Sequence, residues 1–598
     1  MQQADRYYQI QVTETETALK RIRKIVSWFY LVRLITFLLF LVFFILFLQH
    51  GSNFWYLVLS GLGLILFLVA VKYDLILGYR EKFLAHKLSI NKDELNFLDF
   101  RYAGHETGEE FRGLNPHLAA DFEIFGDGSL YQYLNRCSTT MGKKKLAAGL
   151  TDFQSDSNVI YKKQQAVNEL AGKTEFIQNF RVFGRFISET GTELPGLQVW
   201  LAERAEKLRL LQALAIVIPP FNITWFALVG IGLIPLNSAI LPLLASILII
   251  FLHSKKINRA HSKLGKTAKT IEKYTSLIKL VENESFTDDY SNRLKQQFLT
   301  ENSKASQSLS SLFKLLNRFD IRLNVVVSFI LNSLVIFDIQ VLILLGKWKK
   351  KHKNSLTNWF EALSEMDALI SLATFAFNNQ EHVAYPGLSD GDFVFQAAGM
   401  GHPLLSPEVR VNNSLVFNGT PSVLIVTGAN MAGKSTFLRT VSVNLILAMN
   451  GAPVCAKSFL FTPCHIMSSI KIQDSLYQNE SYFYAELLRI KEIIEHTKSG
   501  QRTLVILDEI LRGTNTKDKQ LGSMGLLENL ISQKSVVMVA THDLTLGELE
   551  KIYPGFVTNY CFEVELANDQ LIFDYKLKKG ISQKLNASFL MKKMGIIE

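Results

Sequence analysis

The chain has 598 residues, which is enough for several domains, and 48% of them are hydrophobic, a high fraction for a soluble enzyme. Its four cysteines form no C-x-x-C pair, so a zinc site or a disulfide framework is disfavoured. The net charge of +10 is compatible with binding to nucleic acid or to anionic lipid. Which of the two it favours depends on where the basic residues lie in the chain.

Two long stretches without a charged residue predict membrane-spanning helices. The first, residues 34–71, is interrupted only around His50 to Asn53, so it divides into two segments of about 18–20 residues, each long enough to cross roughly 30 Å of hydrocarbon. A cleaved signal peptide is disfavoured, because the apolar run is too long and a second run follows at once. We predict transmembrane hairpin 1 over residues 31–75. The second stretch, 210–252, predicts transmembrane hairpin 2 over residues 209–253, with its turn at 235–238.

Basic residues flank both hairpins, and the two tips carry none. By the positive-inside rule, this pattern predicts a multi-pass protein of the cytoplasmic (inner) membrane, with residues 1–30 and the other large polar segments in the cytoplasm. Attraction to anionic membrane lipid explains these basic residues as well as DNA does. They are Lys20, Arg21, Arg23, Lys24, Arg33, Lys72, Arg80, Lys82 and Lys87 for hairpin 1, and Arg204, Lys207, Arg209, Lys255, Lys256 and Arg259 for hairpin 2.

The remaining N-terminal sequence predicts helices. Residues 263–317 are polar with helical periodicity, and 359–377 repeat apolar residues at helical spacing. Residues 322–347 are apolar enough for a fifth span, but polar groups at membrane depth are costly, and an odd number of crossings would separate 121–200 from the C-terminal domain. We therefore predict a buried core helix there. Gly142 with the lysines that follow it predicts a turn and a solvated face.

The segment 422–439 predicts a buried strand, a glycine loop and a helix that begins at Ser435. The spacing of Gly428, four residues, and then Gly433, Lys434 and Ser435 is a complete P-loop. Backbone N–H groups of such a loop cradle phosphates, the lysine reaches the β- and γ-phosphates, and the hydroxyl holds Mg²⁺. ATP and Mg²⁺ are therefore the predicted cofactors. The predicted nucleotide-binding residues are Gly428, Ala429, Asn430, Met431, Ala432, Gly433, Lys434, Ser435 and Thr436.

Two further predicted strands end in polar residues. Residues 503–507 lead into Asp508 and Glu509, and residues 535–540 lead into Thr541 and His542. The carboxyl ends of parallel strands are where α/β sheets bind ligands. We predict that Asp508 shares the Mg²⁺ with Ser435, that Glu509 polarises the attacking water, and that His542 lies near the γ-phosphate. The alternative for any one of these residues is a solvated strand end.

These motifs together resemble the ATPase domain of the MutS family, the ABC-type ATPases of DNA mismatch repair. The resemblance rests on residues 427–435, on 508–510 with 512–516, and on 540–542, and the Gly401-His402-Pro403-Leu404 segment agrees with it. Ser481, Tyr482 and Phe483 with Glu486 resemble a family segment whose serine completes the partner subunit's site. The resemblance therefore implies a homodimer through the ATPase domains, with Ser481 acting in trans. The alternative for Ser481 is a simple helix N-cap.

The preceding region is similar to the MutS core or lever domain at residues 121–126, 139–146 and 160–170. The family inserts a DNA-embracing clamp between core helices, and hairpin 2 stands at the corresponding place. Only about 120 residues precede the core and most of them belong to hairpin 1 and its flanks, so no mismatch-recognition domain is expected. The closing segment that begins at Gly580 resembles the family's dimer-supporting C-terminus.

The predicted fold is thus an α/β P-loop ABC-type ATPase domain (386–598) and an all-α MutS-like core and lever domain (76–208 and 254–385) that transmembrane hairpins interrupt. The predicted function is a membrane-anchored ATPase that uses ATP binding and hydrolysis to move the lever helices. The alternative is a DNA-binding mismatch-repair or recombination factor that uses ATP as a clamp switch. An ABC-type transporter is disfavoured, because two hairpins supply only four spans per chain.

The charge pattern yields a test of topology. Cysteines placed at Ser52 and Asn237, in a cysteine-free background, should react with an impermeant thiol reagent in intact cells, because both lie at predicted hairpin tips outside the cytoplasm. A cysteine at Ser155 should stay unlabelled. Labelling at Ser155 or protection at Ser52 would contradict the arrangement.

Overall fold

The computed structural model describes residues 3–51, 53–189, 191, 193–203, 209–265, 267–300, 303–471, 482–567 and 570–582. Its N-terminal part is helical, apart from one two-stranded ribbon, and its C-terminal part is α/β. The N-terminal helices are α1 (Gln3–Gln49), α2 (Phe54–Leu98), α3 (Pro116–Asp121), α4 (Leu130–Leu134), α5 (Thr140–Gly149), α6 (Ser157–Gly172), α7 (Thr174–Arg185), α8 (Glu193–Ala202), α9 (Arg209–Gly230), α10 (Ile240–Leu264), α11 (Ala268–Asn283), α12 (Asp289–Gln297), α13 (Ala305–Asp320), α14 (Val325–Val335) and α15 (Phe337–Asn378). The ribbon pairs β1 (Leu299–Thr300) with β2 (Ser303–Lys304).

The predicted hairpin 1 (31–75) lies within two longer helices, α1 and α2, which are 47 and 45 residues long. At 1.5 Å per residue each helix is about 70 Å long, more than twice the thickness of a bilayer core. The helices therefore continue beyond the apolar stretch as a polar stalk, and α1 is continuous from Gln3 through the predicted cytoplasmic N-terminus. Among the described residues, four helices are long and apolar enough to cross a membrane, namely α1, α2, α9 and a helix over 236–264 that includes α10.

A buried ion cluster fastens the polar ends of α1 and α2, beyond hairpin 1, to the core. Glu94 on α2 is fully buried and accepts hydrogen bonds from Arg136 Nε (2.8 Å) and Arg181 Nη2 (2.6 Å). Asn378, at the end of α15, donates to the same carboxylate (2.7 Å), and Tyr8 of α1 donates to Asn378 Oδ1 (2.8 Å). Burial by itself would raise the pKa of Glu94, but the two guanidinium groups outweigh it and lower the pKa to about 2.

Helix α15 is the longest core element, and two of its acidic residues hold the helices around it. Glu365 pairs with Lys163 (2.7 Å) and Lys145 (3.1 Å). Asp367 accepts hydrogen bonds at the N-terminus of α5, from the Thr139 N–H (2.8 Å) among others. The predicted turn at Gly142 is wrong, because Gly142 lies inside α5, where a Cβ atom would come within 2.2 Å of Asp367 Oδ2.

Our prediction of one buried core helix over 322–347 is wrong for its first half. The chain forms α14, bends by 81° at Ile336, and continues as α15. Val325 is 79% exposed and Phe329 is 61% exposed, whereas Ile339 and Val341 on α15 are buried. The apolar pattern alone could not predict that the helix breaks at Ile336. The break needs a left-handed backbone at Ile336 (φ 46°), a conformation that a bulky side chain rarely takes.

The C-terminal domain is built on two sheets. Its strands are β3 (Gly387–Leu388), β4 (Val394–Met400), β5 (Asn413–Asn418), β6 (Ser422–Gly428), β7 (Ser458–Phe461), β8 (His465–Ser469), β9 (Thr503–Asp508), β10 (Val536–Thr541), β11 (Val557–Ala567) and β12 (Gln570–Lys579). Its helices are α16 (Lys434–Met449), α17 (Tyr482–Thr497), α18 (Thr516–Ser532) and α19 (Leu549–Ile552).

The larger sheet has the order β12-β11-β6-β10-β9-β8, and its five neighbouring strands from β11 to β8 run parallel. Ala540 on β10 pairs with Val426 on β6 and with Asp508 on β9, so the carboxyl ends of these three strands are level. The strands predicted at 422–427, 503–507 and 535–540 are confirmed. The smaller sheet has the order β3-β7-β4-β5.

The two parts of the chain meet beside the glycine loop. Arg439 on α16 donates to the Asp121 carbonyl (2.9 Å) and pairs with Glu123 (3.2 Å). Lys471 also pairs with Glu123 (2.7 Å), and its backbone N–H donates to the Asp121 carboxylate (2.6 Å). The helix that follows the P-loop is therefore in direct contact with the core domain.

The Glu94 cluster yields a test of stability. Glu94→Gln should destabilise the protein by about 3 kcal/mol, because it leaves two buried guanidinium groups without a counter-charge. Since the folded pKa of Glu94 is lowered, its contribution is complete above the ordinary value of 4.5 and is lost as the pH falls towards about 2. The measurement is denaturant unfolding of the detergent-solubilised protein at pH 7.

A matched control exists on the same helix. Glu81 pairs with Arg23, whose side chain is 60% exposed, so Glu81→Gln should cost at most about 1 kcal/mol. Equal losses for the two variants would contradict the role assigned to Glu94.

Candidate functional site

The glycine loop between β6 and α16 adopts the backbone that a phosphate cradle needs. Gly428 has φ 151° and Gly433 has φ 102°, and Met431 is left-handed with φ 66°. At Gly428 a Cβ atom would come within 2.7 Å of the Phe562 carbonyl, and at Gly433 within 3.1 Å of the Tyr575 ring. Both glycines are therefore required by conformation, and Gly428 is required by space as well. Helix α16 begins at Lys434, one residue before the predicted start.

Lys434 lies at the centre of this loop. It is 4% exposed, and its Nζ donates to the carbonyls of Gly428 (2.7 Å) and Ala429 (2.9 Å). Burial lowers its pKa, while the nearby Glu509 and Asp508 carboxylates act in the opposite direction. The ammonium group is thus held at the loop by two neutral acceptors, which anionic phosphate oxygens can replace with stronger charge-assisted bonds.

Asp508 ends β9 next to the start of α16. Burial raises its pKa, and a hydrogen bond with the Ser435 side chain opposes that shift. Its Oδ1 atom is buried and has no hydrogen-bond partner among the described residues. A buried, unpaired carboxylate oxygen beside a serine hydroxyl fits Mg²⁺, which takes one or two protein oxygens and completes its shell with phosphates and water. The structure thus brings together the two predicted magnesium ligands.

Glu509 has a left-handed backbone (φ 51°), and its N–H donates to the Ala540 carbonyl at the end of β10 (2.8 Å). Its carboxylate lies 3.1 Å from Arg512 Nε and 3.5 Å from His542 Nδ1. Lys519 Nζ is 3.5 Å from the other ring nitrogen of His542. The structure therefore places Glu509 and His542 in one polar group at the carboxyl edge of the sheet. Arg512 belongs to the same group, although the sequence pointed to it only as part of the 512–516 motif and predicted no role for it.

The loop after Glu509 is held by α17. Glu486 is 2% exposed and accepts hydrogen bonds from the N–H groups of Leu511 (2.6 Å) and Arg512 (3.2 Å). A Cβ atom on Gly513 would meet Phe483 at 2.8 Å, so the start of α17 packs closely on the same loop. Ser481, predicted to act in trans, lies in the segment 472–481, outside the described residues.

A cavity of about 440 Å³ opens beside the P-loop and reaches both Lys434 and Glu509. Its far wall contains side chains to which sequence analysis gave no role: His402, Val411, Asn413 and Tyr575. Burial lowers the pKa of His402 to about 4, so its ring is neutral at pH 7. Asn413 donates to the Tyr575 carbonyl (3.0 Å), which fixes β12 over the cavity. The Gly401-His402-Pro403-Leu404 segment pointed to the family resemblance, but the sequence could not predict that His402 lines this cavity.

Comparison with known proteins agrees with the resemblance in the C-terminal part. The family described as MutS domain V matches residues 424–593. The chain is 31% identical over 246 residues to MutS protein homolog 4 of Mus musculus, which is 40% of this chain and 25% of that protein. It is 30% identical over 240 residues to DNA mismatch repair protein MutS of Clostridium kluyveri (39% of this chain and 27% of that protein). The Thermotoga maritima protein of the same name is 32% identical over 238 residues (39% and 29%).

The chain therefore spans about a quarter of the length of the curated relatives it matches. Within that limit, the matches support MutS family membership through the α/β domain. The core helices and the apolar hairpins lie outside the segment that the family model matches.

Proposed function

We propose that this protein is a membrane-anchored, dimeric MutS-like ATPase that couples ATP binding and hydrolysis to movement of its core helices. The observation that carries the proposal is the unpaired, buried Oδ1 of Asp508 beside Ser435, at the mouth of a complete P-loop. At a purely structural strand end, a buried carboxylate oxygen without a partner only costs free energy. In a magnesium-nucleotide site the same oxygen is available as a metal ligand.

The P-loop N–H groups and the N-terminus of α16 bind the phosphates of ATP, and Lys434 turns from the loop carbonyls to the β- and γ-phosphates. Ser435 and Asp508 would hold Mg²⁺, which would neutralise charge on the phosphate oxygens. Glu509 orients the attacking water, and Arg512 and His542 fix the direction of its carboxylate. The neutral His402 and the Asn413–Tyr575 wall leave an uncharged space for the nucleoside.

The same contacts supply a route from the nucleotide to the core. Arg439 lies on α16, whose N-terminus binds the phosphates, and it is tied to Asp121 and Glu123 of the core domain. The core in turn holds hairpin 1 through Glu94. A shift of α16 on nucleotide binding is therefore passed to helices that continue into the membrane hairpin.

The alternative, a DNA-binding repair or recombination factor, is favoured by the names of the relatives, two of which are called DNA mismatch repair proteins. Salt-titrated binding to homoduplex, mismatched and branched DNA, with and without ATP, separates the two functions. Binding that prefers mismatched or branched DNA and responds to ATP would replace the first proposal with this alternative.

The chemistry is tested with two variants that fail at different steps. Glu509→Gln should keep ATP bound yet hydrolyse it at least about tenfold more slowly, because it can no longer polarise the water. Lys434→Ala should lose ATP binding. Fluorescent nucleotide binding and steady-state phosphate release measure the two effects.

Glu495→Gln, an exposed position on α17, is the matched control and should leave both quantities unchanged. Wild-type turnover by the Glu509→Gln protein would remove the role assigned to Glu509.

The dimer is tested by mixing subunits. Ser481→Ala subunits combined with Lys434→Ala subunits should recover ATP hydrolysis, because one composite site per dimer then has an intact P-loop and an intact serine from the other chain. A serine that acts within its own chain predicts no recovery. Absence of hydrolysis in mixed dimers, with dimer formation shown separately, would leave Ser481 as a helix cap.

A further inference from the structure

Helix α14 is an apolar element with most of its surface uncovered. Its 11 residues include no charged side chain, and the residues of its first two turns are largely exposed. The exposed apolar residues of α14 are Val325, Val326, Val327, Phe329 and Ile330, and Leu323, just before the helix, is exposed as well. A helix of this kind in contact with water would be a large uncompensated apolar patch.

Besides α15, the helices that pack against α14 are the two helices of hairpin 2. The side-chain amide of Asn222 on α9 donates to the carbonyls of Leu334 (2.8 Å) and Ser333 (3.3 Å) at the end of α14, and to Ser246 Oγ on α10 (3.0 Å). Along α9, Asn222 lies about 18 Å from Leu210, past the middle of a hydrocarbon layer of roughly 30 Å. The end of α14 is therefore docked at mid-depth of the predicted span.

The break between α14 and α15 has its backbone groups satisfied by protein. Gln340 Nε2 donates to the Val335 carbonyl (2.9 Å), and the Asn332 side chain accepts from the Asp338 N–H (2.9 Å). With the two bonds from Asn222, the terminal carbonyls of Ser333, Leu334 and Val335 all have donors. In water such carbonyls need no protein donors, whereas in hydrocarbon each one left unsatisfied costs several kcal/mol.

The chain enters and leaves this segment beside α13, the helix that precedes it. Arg322, before α14, pairs with Asp338, at the start of α15 (3.5 Å), and also donates to Asn258 on α10 (2.6 Å). Asn258 lies next to Lys255, Lys256 and Arg259, the basic residues that mark the cytoplasmic end of hairpin 2. Trp348, about 15 Å further along α15, donates to the Ser308 carbonyl on α13 (3.0 Å), so the chain returns to the side from which it entered.

We propose that α14 is a re-entrant helix whose exposed face is covered by the hydrocarbon of the lipid bilayer, entering from the cytoplasmic side and turning back at Ile336. The length of α14, about 16 Å, is half of a bilayer core. This inference rests on the membrane anchoring in the proposed function. It keeps the number of crossings even, and it anchors the start of the core helix α15 in the membrane beside hairpin 2.

The test uses single cysteines in a cysteine-replaced chain that retains ATP hydrolysis, labelled with an environment-sensitive fluorophore in phosphatidylethanolamine–phosphatidylglycerol vesicles. Val326→Cys and Phe329→Cys report on α14, Leu248→Cys on α10 is the membrane reference, and Tyr161→Cys on α6 is the aqueous reference. Brominated lipid should quench the α14 labels as it quenches the label at 248, and iodide should quench only the label at 161.

Iodide quenching at 326 and 329, with lipid quenching kept at 248, would overturn the inference and leave the anchoring intact. Protection of both positions from both quenchers would show cover by protein, a second copy or a partner, and would also overturn it. Iodide quenching at 248 would instead remove the anchoring itself. Impermeant thiol labelling of Asn317→Cys and Lys351→Cys should occur from the side that labels Tyr161→Cys, and labelling from opposite sides would show a full crossing and refute re-entry.

The docking contact is tested separately. Asn222→Ala should lose lipid quenching at Phe329→Cys while quenching at Leu248→Cys is unchanged, because the carbonyls of Ser333 and Leu334 lose their donors. The matched control is Asn237→Ala at the tip of hairpin 2, which should change neither signal. Unchanged quenching at 329 in the Asn222→Ala protein would overturn the docking by Asn222.

Discussion

A carboxylate removed from water has to be neutralised, and in this protein that requirement joins the hairpin to the core. Glu94 is fully buried, and it is stable as an anion only because Arg136 and Arg181 approach it from two other elements. The hydrogen bond from Asn378 extends the cluster to the end of α15. The position of hairpin 1 relative to the core is thus fixed by charge as well as by apolar packing.

The same principle organises the surroundings of α15. Glu365 is neutralised by two lysines, which lower its pKa to about 2 in spite of burial. Asp367 has mainly N–H and hydroxyl partners, so burial prevails and raises its pKa to about 6. Helix α15 therefore carries one carboxylate held by ion pairs and one held by a helix N-terminus, and together they fix α5 and α6 against it.

The two ends of the molecule leave their polar groups in contrasting states. Around Ile336, the terminal carbonyls of α14 are supplied with side-chain donors, as a water-free environment demands. At the glycine loop, Lys434 has only carbonyl acceptors and Asp508 Oδ1 has no partner among the described residues. Asp338 Oδ1, near Ile336, is also buried without a partner among the described residues, so an unpaired carboxylate oxygen does not by itself mark a site. At the glycine loop it coincides with the P-loop lysine and serine, which is why we place the chemistry there.

The sequence alone was enough to predict the structural elements that depend on residues close together in the chain. The P-loop spacing, the strands that end at Asp508 and Thr541, and the long uncharged stretches follow from residue types at short separations, and the structure has the strands and the apolar helices where they were predicted. The sequence also predicted that Ser435 and Asp508 lie close together, because the carboxyl ends of parallel strands and the helices that follow them meet at one edge of a sheet.

What the tertiary structure decided depends on residues far apart in the chain. Nothing local shows that Gly142 touches Asp367, that Glu94 meets Arg136 and Arg181, or that His402 and Tyr575 close one cavity. Residues 322–347 read as one apolar helix, and only the tertiary structure shows the 81° bend at Ile336 and the contact of Asn222 with the end of α14. Sequence patterns report which surface is apolar, but the partner that covers that surface is set by long-range packing.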